Sequence, residues 1–315
     1  SMGKGSRPAH RAKKRFPKLS LRDFLPVAGM LLLAAALLFS ASYPGRVFWN
    51  RLFLASGFGG AEEVTGLRIH VIDVGKADAI LVQCGEHAGL IDAGAANGGD
   101  VVVDYLARQG ITSLDFVAMT HPDSDHIGGM AQVLREVPVK AFLQSEFALA
   151  ADSLEYQALQ RELDRGELSQ RTLAQGDTFS LGEAVFTVLG PFRAYEDTNN
   201  SSLVCRLEYQ GFTALFCGDI EEEAELDYVK SGQDLGAGLL KVPHHGSASS
   251  CSKRFVKAVS PAYAVISVGP DRNELPRDKP LRRLEEAGAE IYRTDTDGTV
   301  VFSVEEGALT IETEK

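Results

Sequence analysis

Hydrophobic residues in this chain follow two regimes. Residues 24–43 form an uncharged run of 20 positions, long enough as a helix to cross a hydrocarbon layer of ~30 Å. From Leu67 onward the apolar residues come in short runs broken by Gly, Asp and Asn, the spacing of strands and short helices. Residues 67–74 alternate as a half-buried strand with His70 on its polar side, so His70, like His87, is expected to be solvated rather than a ligand. Asp100 opens a helix over 101–109 that Gly110 ends. Leu154 to Leu163 reads as a helix with a polar face, and the acid-rich stretch 221–226 as a first helical turn whose glutamates complement its N-terminus. Residues 203–209 and 212–217 flank Gln210-Gly211 as a hairpin, and a two-residue turn there sets Cys205 opposite Phe216. A helix-strand-helix rhythm continues over 257–288 toward a final hairpin.

Several predicted strands end in side chains that can bind metal. After the apolar run 116–119 comes Thr120-His121-Pro122-Asp123-Ser124-Asp125-His126-Ile127-Gly128-Gly129. Imidazole and carboxylate suit borderline or hard divalent cations, so His121, Asp123, Asp125 and His126 read as a cradle at a strand-to-helix turn. The two glycines let backbone approach it closely. Leu215-Phe216-Cys217-Gly218-Asp219 is a second apolar strand, with Asp219 placed to bridge two cations. Residues 239–245 deliver His244 and His245 from a third, and 89–94 place Asp92 to orient a ligand histidine. Cys217, beside Asp219, is a possible soft ligand.

Taken in order, Asp92-Ala93-Gly94, His121-x-Asp123-x-Asp125-His126 and Cys217-Gly218-Asp219 resemble the metallo-β-lactamase fold of metal-dependent hydrolases. More narrowly, Asp73-Val74-Gly75-Lys76-Ala77-Asp78-Ala79, Asn199-Asn200-Ser201-Ser202 and Val242-Pro243-His244-His245-Gly246-Ser247 are similar to the extracellular hydrolase domain of the ComEC-type competence (DNA-uptake) family and its stand-alone relatives. The resemblance runs from about Leu67 to the C-terminus. It implies an α/β fold, an αββα sandwich, with one or two divalent ions, Zn²⁺ or Mn²⁺, at its edge. It implies metal ligands at His121, Asp123, Asp125, His126, Asp219, His244 and His245, with Asp92 and Asp78 set behind them. Asp125 would also orient the nucleophile, Asn200 and Ser202 would donate to substrate oxygens, and His245 would protonate the leaving group if it is not a ligand. One departure stands out: Leu275 occupies the position of a late ligand histidine, and no histidine lies beyond His245 among the seven in the chain. Glu274 or Asp278 substitutes for it, or His244 and His245 both serve, or one metal is weakly held.

Charge divides the chain at the same boundary. Residues 1–22 hold eight Lys or Arg and no acid, which keeps a cytoplasmic tail inside and sends all after Tyr43 outside the cell. This gives a basic tail (1–22), a single membrane anchor or signal segment (23–43), a juxtamembrane linker (44–66) and a hydrolase domain (67–315). Cleavage near Ser40-Ala41-Ser42, releasing a secreted protein, is the alternative to an anchor. Val47-Phe48-Trp49 and Leu52-Phe53-Leu54, with Arg46 and Arg51, read either as an interfacial segment on the outer leaflet or as a stalk packed on the domain. Residues 56–60 read as a flexible linker. Residues 1–66 carry ten basic and three acidic side chains, net +7, leaving 22 basic and 40 acidic, net −18. Such a domain repels a polyanion beyond the reach of its own metals. The four cysteines are expected to be free buried thiols.

The functional reading is an extracytoplasmic metal-dependent hydrolase of phosphodiester bonds, a DNA nuclease linked to competence by the resemblance. A single span forms no pore, so a role in uptake needs a separate channel protein. The alternatives are a cell-envelope phosphoesterase that removes phosphorylcholine or a teichoic-acid substituent, which the acidic charge favours, and a non-catalytic binding protein that has lost a ligand at Leu275.

Overall fold

Strands apolar on both faces must be covered on both, and that requirement sets the architecture. The computed structural model describes residues 21–55, 64–166, 168–270, 272 and 274–315; the linker 56–60 and all but the end of the basic tail lie outside the described residues. Two helices lead, α1 (Leu21–Ala41) and α2 (Tyr43–Ala55). Then follow β1 (Leu67–Val71), β2 (Ala79–Cys84), β3 (His87–Ala93), α3 (Gly99–Arg108), β4 (Phe116–Ala118), α4 (Ser124–Ile127), α5 (Met130–Glu136), β5 (Ala141–Ser145), α6 (Leu154–Arg165) and β6 (Ser169–Leu173). The second half runs β7 (Thr178–Leu181), β8 (Ala184–Gly190), β9 (Val204–Tyr209), β10 (Phe212–Phe216), α7 (Glu222–Ser231), β11 (Leu239–Lys241), α8 (Lys253–Val259), β12 (Tyr263–Ile266), α9 (Asp278–Glu286), β13 (Glu290–Arg293), α10 (Thr294–Asp297), β14 (Val300–Glu305) and β15 (Ala308–Thr313).

The strands make two sheets, ordered β15-β14-β1-β2-β3-β4-β5-β6 and β13-β12-β11-β10-β9-β8-β7. Their facing sides enclose Ile69, Ile80, Phe116, Phe186, Phe216 and Phe302. Phe179 stacks on Phe186 at 4.7 Å between ring centroids, with Phe116 edge-on to both. The outer face of the first sheet is covered by helices through Leu81, Leu90, Leu106 and Met130, and that of the second through Leu215, Leu240, Phe255 and Ile266. At ~1.5–3 kcal/mol per fully buried large apolar side chain, three apolar layers hold four layers of structure together. β3, β4 and β5 run parallel, as do β10, β11 and β12, so their C-terminal ends gather at one edge of the sandwich.

The hairpin turns at Gln210 and Gly211, both with positive φ, and pairs Cys205 with Phe216, the register that a two-residue turn dictates. All four cysteines are buried and free. Within α1, Phe24–Ala41 is long and apolar enough to cross a membrane, and none of it is buried among the described residues. α2 follows a bend at Ser42 and packs against α3, with Tyr43 and Val47 buried among Leu106, Ala107 and Ile111.

His70 corrects the expectation of a solvated imidazole. Both faces of β1 are covered, so His70 is buried and its Nδ1 lies 2.8 Å from the Tyr105 hydroxyl. Burial pushes its pKa down to about 3. The folded protein therefore keeps His70 neutral, whereas the unfolded chain protonates it below about 6.5. This contribution to stability is fully present above pH ~6.5 and is lost progressively as pH falls from there toward 3. Between pH 7 and 5 wild type should lose about 2 kcal/mol that His70→Gln does not lose; urea unfolding of both at the two pH values measures the difference, and parallel losses would refute it.

Candidate metal centre

Each candidate residue reaches the site because a strand ends beneath it. β3 ends in Asp92 and Ala93, and β4 leads through Met119 and Thr120 to His121. The turn of α4 then presents Asp125 and His126. Its next residues must lie against the β3 loop: a Cβ on Gly128 would meet the Ala96 amide nitrogen at 2.1 Å, and one on Gly129 the Ala93 carbonyl oxygen at 2.2 Å. In the opposite sheet β10 passes through Gly218, φ +53, to Asp219. Any side chain at Gly218 would strike Ser202 Oγ at 2.7 Å. β11 leads through Val242-Pro243 to His244 and His245, both in the left-handed region at φ 50 and 52. Two successive non-glycine residues there hold the turn in a sparsely populated conformation, a feature that clusters at functional sites.

At the centre Asp219 Oδ2 lies 3.3 Å from His126 Nε2 and 3.5 Å from His245 Nε2, and Asp125 Oδ2 lies 3.5 Å from His245 Nε2. Ligand atoms of Asp125, His126, Asp219 and His245 all fall within 4.8 Å of one another. The His121 ring lies 4.0 Å from that of His126, between centroids. The far sides of these rings are fixed. His126 Nδ1 faces Asp92 Oδ2 at 2.7 Å, His121 Nδ1 faces the Thr120 hydroxyl at 3.0 Å, and His245 Nδ1 donates to the Ser267 carbonyl at 2.8 Å. A histidine that donates from Nδ1 keeps a lone pair on Nε2, the form that binds a metal. Among the described residues, Nε2 of His121, His126 and His245 and Oδ1 of Asp219 are buried with no hydrogen-bond partner. Leaving four such atoms unpaired costs ~1–3 kcal/mol each, and all four are donors to a divalent cation, so the residues present fit one.

The electrostatics agree. Burial would push Asp219 up, but the imidazoles of His126 and His245 outweigh it and hold the carboxyl well below its usual range. Burial likewise opposes charge on His126, yet Asp219 and Asp92 raise its pKa well above that of a free imidazole. Asp125 is depressed against burial by His245, His126 and Lys76. Burial, with His126 next to it, lowers His121 to about 3. The carboxylates thus demand positive charge between them.

Other candidates stand apart. Asp123 precedes α4 half-exposed, 3.8 Å from His121 Nε2. His244 is turned outward, 3.0 Å from Glu221 through Nδ1 and 4.0 Å from Asp219 through Nε2. Asn200 and Ser202, expected to donate to substrate, are buried and engaged by the chain itself. Asn200 Oδ1 accepts from the amides of Glu221 and Ala224 and its Nδ2 donates to Asp197, while Ser202 Oγ donates to the Asn199 carbonyl and accepts from the Asp219 amide. Both hold the loop that carries Asp219. His245 is fully buried, which turns it from the proton-donor role toward the ligand role. Cys217 packs in the helix-covered core of the second sheet. Glu274 is exposed and paired with Arg277, and Asp278 is exposed at the start of α9.

Two lysines escaped the sequence reading. Lys76, on the loop after β1, forms a very close ion pair with Asp125. Lys241 is buried within β11 and donates to Asp78 Oδ2 at 2.8 Å; Asp78 Oδ1 in turn lies 3.7 Å from His245 Nδ1. A lysine inside an apolar strand was the available signal, since it must be paired when buried. The glutamates of α7 divide in the same way: Glu225 is buried and accepts from the Cys251 and Ser252 amides, tying α7 to the loop that follows His245.

A four-layer α/β sandwich with histidines and aspartates converging from strand ends at one edge defines a class of metal-dependent hydrolase folds. The chain belongs to the Metallo-beta-lactamase superfamily, whose pattern matches residues 72–269. It is 29% identical to ComE operon protein 3 of Bacillus subtilis (strain 168), over 74% of this chain and 32% of that protein. It is also 29% identical to Competence protein ComA of Neisseria gonorrhoeae, over 90% of this chain and 40% of that one. The chain thus spans about a third to two fifths of the length of these relatives. Among solved structures it is similar to the metallo-beta-lactamase fold protein YhfI from Bacillus subtilis, with a TM-score of 0.48 and 14% identity, covering 74% of this chain and 98% of that one.

Replacing Lys241 by Met would strand the buried Asp78 carboxylate. Unfolding free energy should fall by about 3–5 kcal/mol, and Asp78→Asn in the same chain should restore part of it. Denaturant unfolding of the three proteins tests this; a loss below about 1 kcal/mol would show that no buried charge is at stake.

Proposed function

We propose that the chain is a membrane-anchored, extracytoplasmic metal-dependent phosphodiesterase. The observation that carries this is the convergence of the buried, unpartnered Nε2 atoms of His126 and His245 with the carboxylates of Asp219 and Asp125. These four would hold one ion, and His121, with Asp123 beside it, would contribute to a second. When bound, a divalent cation lowers the pKa of water and polarises a phosphoryl oxygen. The oxygen-rich set suits Mn²⁺ as well as Zn²⁺. Asp125 orients the nucleophile. Lys76, partly exposed beside it, neutralises charge that develops on the phosphate oxygens. His244, reachable from solvent and oriented by Glu221, is better placed than His245 to hand a proton to the leaving group.

The basic N-terminal tail supports an outward-facing domain, and the competence-protein relatives support DNA as substrate. The net charge of −18 after residue 66 favours a second reading, a compact envelope phosphoester, because an acidic surface disfavours extended contact with a polyanion.

The test is elemental analysis of protein purified without chelator, paired with Mn²⁺- and Zn²⁺-dependent hydrolysis of bis-(p-nitrophenyl) phosphate. One or two ions per chain with turnover are expected; neither ions nor turnover would leave the non-catalytic reading, with Leu275 as the decisive residue. Asp125→Ala should cost at least ~10²-fold in turnover while the domain stays folded, and unchanged turnover would remove Asp125 from the site. Lys76→Met, which takes away a charged donor, should lower kcat/KM by ~10- to 100-fold. Cleavage of DNA against release of a small phosphoester then separates the two substrates.

A further inference from the structure

Helix α2 has two unlike faces. Tyr43, Arg46, Val47 and Asn50, spaced as one helical stripe, grip the catalytic domain. Tyr43 and Val47 are buried, the Tyr43 hydroxyl donates to the Ile111 carbonyl at 2.7 Å, and Asn50 Nδ2 donates to the Ala107 carbonyl at 3.1 Å. Arg46 pairs with Asp104 and, at 2.8 Å, with Glu136, and Arg51 donates twice to the Gly110 carbonyl. The opposite stripe is Phe48, Trp49, Leu52 and Phe53, 39–55% exposed and without a charge among them. Four large apolar side chains side by side on a soluble surface call for a cover.

The preceding helix shows what that cover is. α1 bends into α2 at Ser42, and the bend requires Gly45, where a Cβ would sit 1.7 Å from the Phe39 carbonyl oxygen. The last turn of α1 then lies on the exposed stripe. The Phe39 and Phe48 rings are edge-to-face at 5.9 Å, and Trp49 Nε1 donates to Ser40 Oγ at 2.9 Å. The apolar surface of the candidate span is thus continuous with the outward face of α2, and both arginines of α2 are drawn to the domain side.

Resting on the anchored reading above, we propose that α2 is an interfacial platform, seated in the outer headgroup region of the bilayer that α1 crosses and clamped to the hydrolase domain by its other face. The clamp meets α3 in its C-terminal half, at Asp104, Ala107 and the following Gly110. The N-terminal end of α3 lies against Gly129, beside the metal cradle, and α3 is ~15 Å long. Lipid contact and cradle therefore occupy separate regions, which leaves the cradle open to a substrate that arrives from the aqueous phase.

Trp49 is the only tryptophan, so its fluorescence reports this face alone. The full chain is reconstituted into phosphatidylcholine vesicles carrying bromines at shallow or deep acyl positions. The expected result is blue-shifted emission, quenched most by shallow bromines and little by aqueous iodide. A chain that floats with the vesicles and resists carbonate, yet has Trp49 emission like that in water, would overturn the platform and leave the anchor standing. Blue-shifted emission that no brominated lipid quenches would also overturn it, since a second copy or another protein then covers the stripe. A chain extracted by carbonate would overturn the anchor and the platform together. Phe48→Ser with Phe53→Ser should shift Trp49 toward the red and raise its iodide quenching without altering hydrolysis of bis-(p-nitrophenyl) phosphate; unaltered quenching would count against the platform.

Discussion

Everything at the edge where the histidines and aspartates converge depends on how buried negative charge is balanced. Asp78, Asp92 and Asp219 are almost completely removed from solvent, and Asp125 largely so. Three have dedicated partners: Lys241 for Asp78, His126 for Asp92 and Lys76 for Asp125. Among the described residues, Asp219 is surrounded instead by the imidazoles of His126, His245, His121 and, at 4.0 Å, His244. A buried carboxylate without a matching cation is among the costliest groups a protein can hold. A divalent ion held between Asp219, Asp125 and the imidazoles would resolve that imbalance and complete the unpartnered donors at once.

The supporting arrangement extends well past the ligating groups. Thr120 binds Asp92 through both its amide and its hydroxyl, so the residue before the first cradle histidine also steadies the carboxylate behind the last. Ser202 and Asn200 fix the loop of Asp219, and Ser267 fixes the tautomer of His245. Because the two sheets contribute opposite halves of the centre, any slip of one sheet against the other would separate Asp219 and His245 from Asp125 and His126. The tightly filled layer between the sheets is therefore also what sets the distances in the site.

Much of this was legible in the sequence, since strand-terminal His and Asp residues bring their own signal: apolar runs that stop at a metal-capable side chain. The convergence of Asp125, His126, Asp219 and His245 was visible in that way, as was the hairpin register. What escaped was whatever depends on the other side of a contact. The alternation of β1 suggested a wet face for His70, but alternation cannot tell water from a covering helix, and α3 supplies Tyr105 there. Asn200 and Ser202 sit in a polar loop near the site, and nothing in their spacing shows that their hydrogen bonds turn inward. Lys76 and Lys241 are ordinary in the linear chain and become informative only when Asp125 and Asp78 are brought to them.

The bend at Ser42 also separates two properties that the hydropathy pattern runs together. No residue of α1 from Phe24 to Ala41 is covered by the domain, whereas the very next helix begins with Tyr43, whose ring lies in the core. A proteolytic cut at this junction would shed the candidate span without removing one side chain from the described core. The piece left would be the same folded object and would keep α2 with its exposed stripe of Phe48, Trp49, Leu52 and Phe53, so losing the long apolar helix would not by itself free the domain of apolar surface.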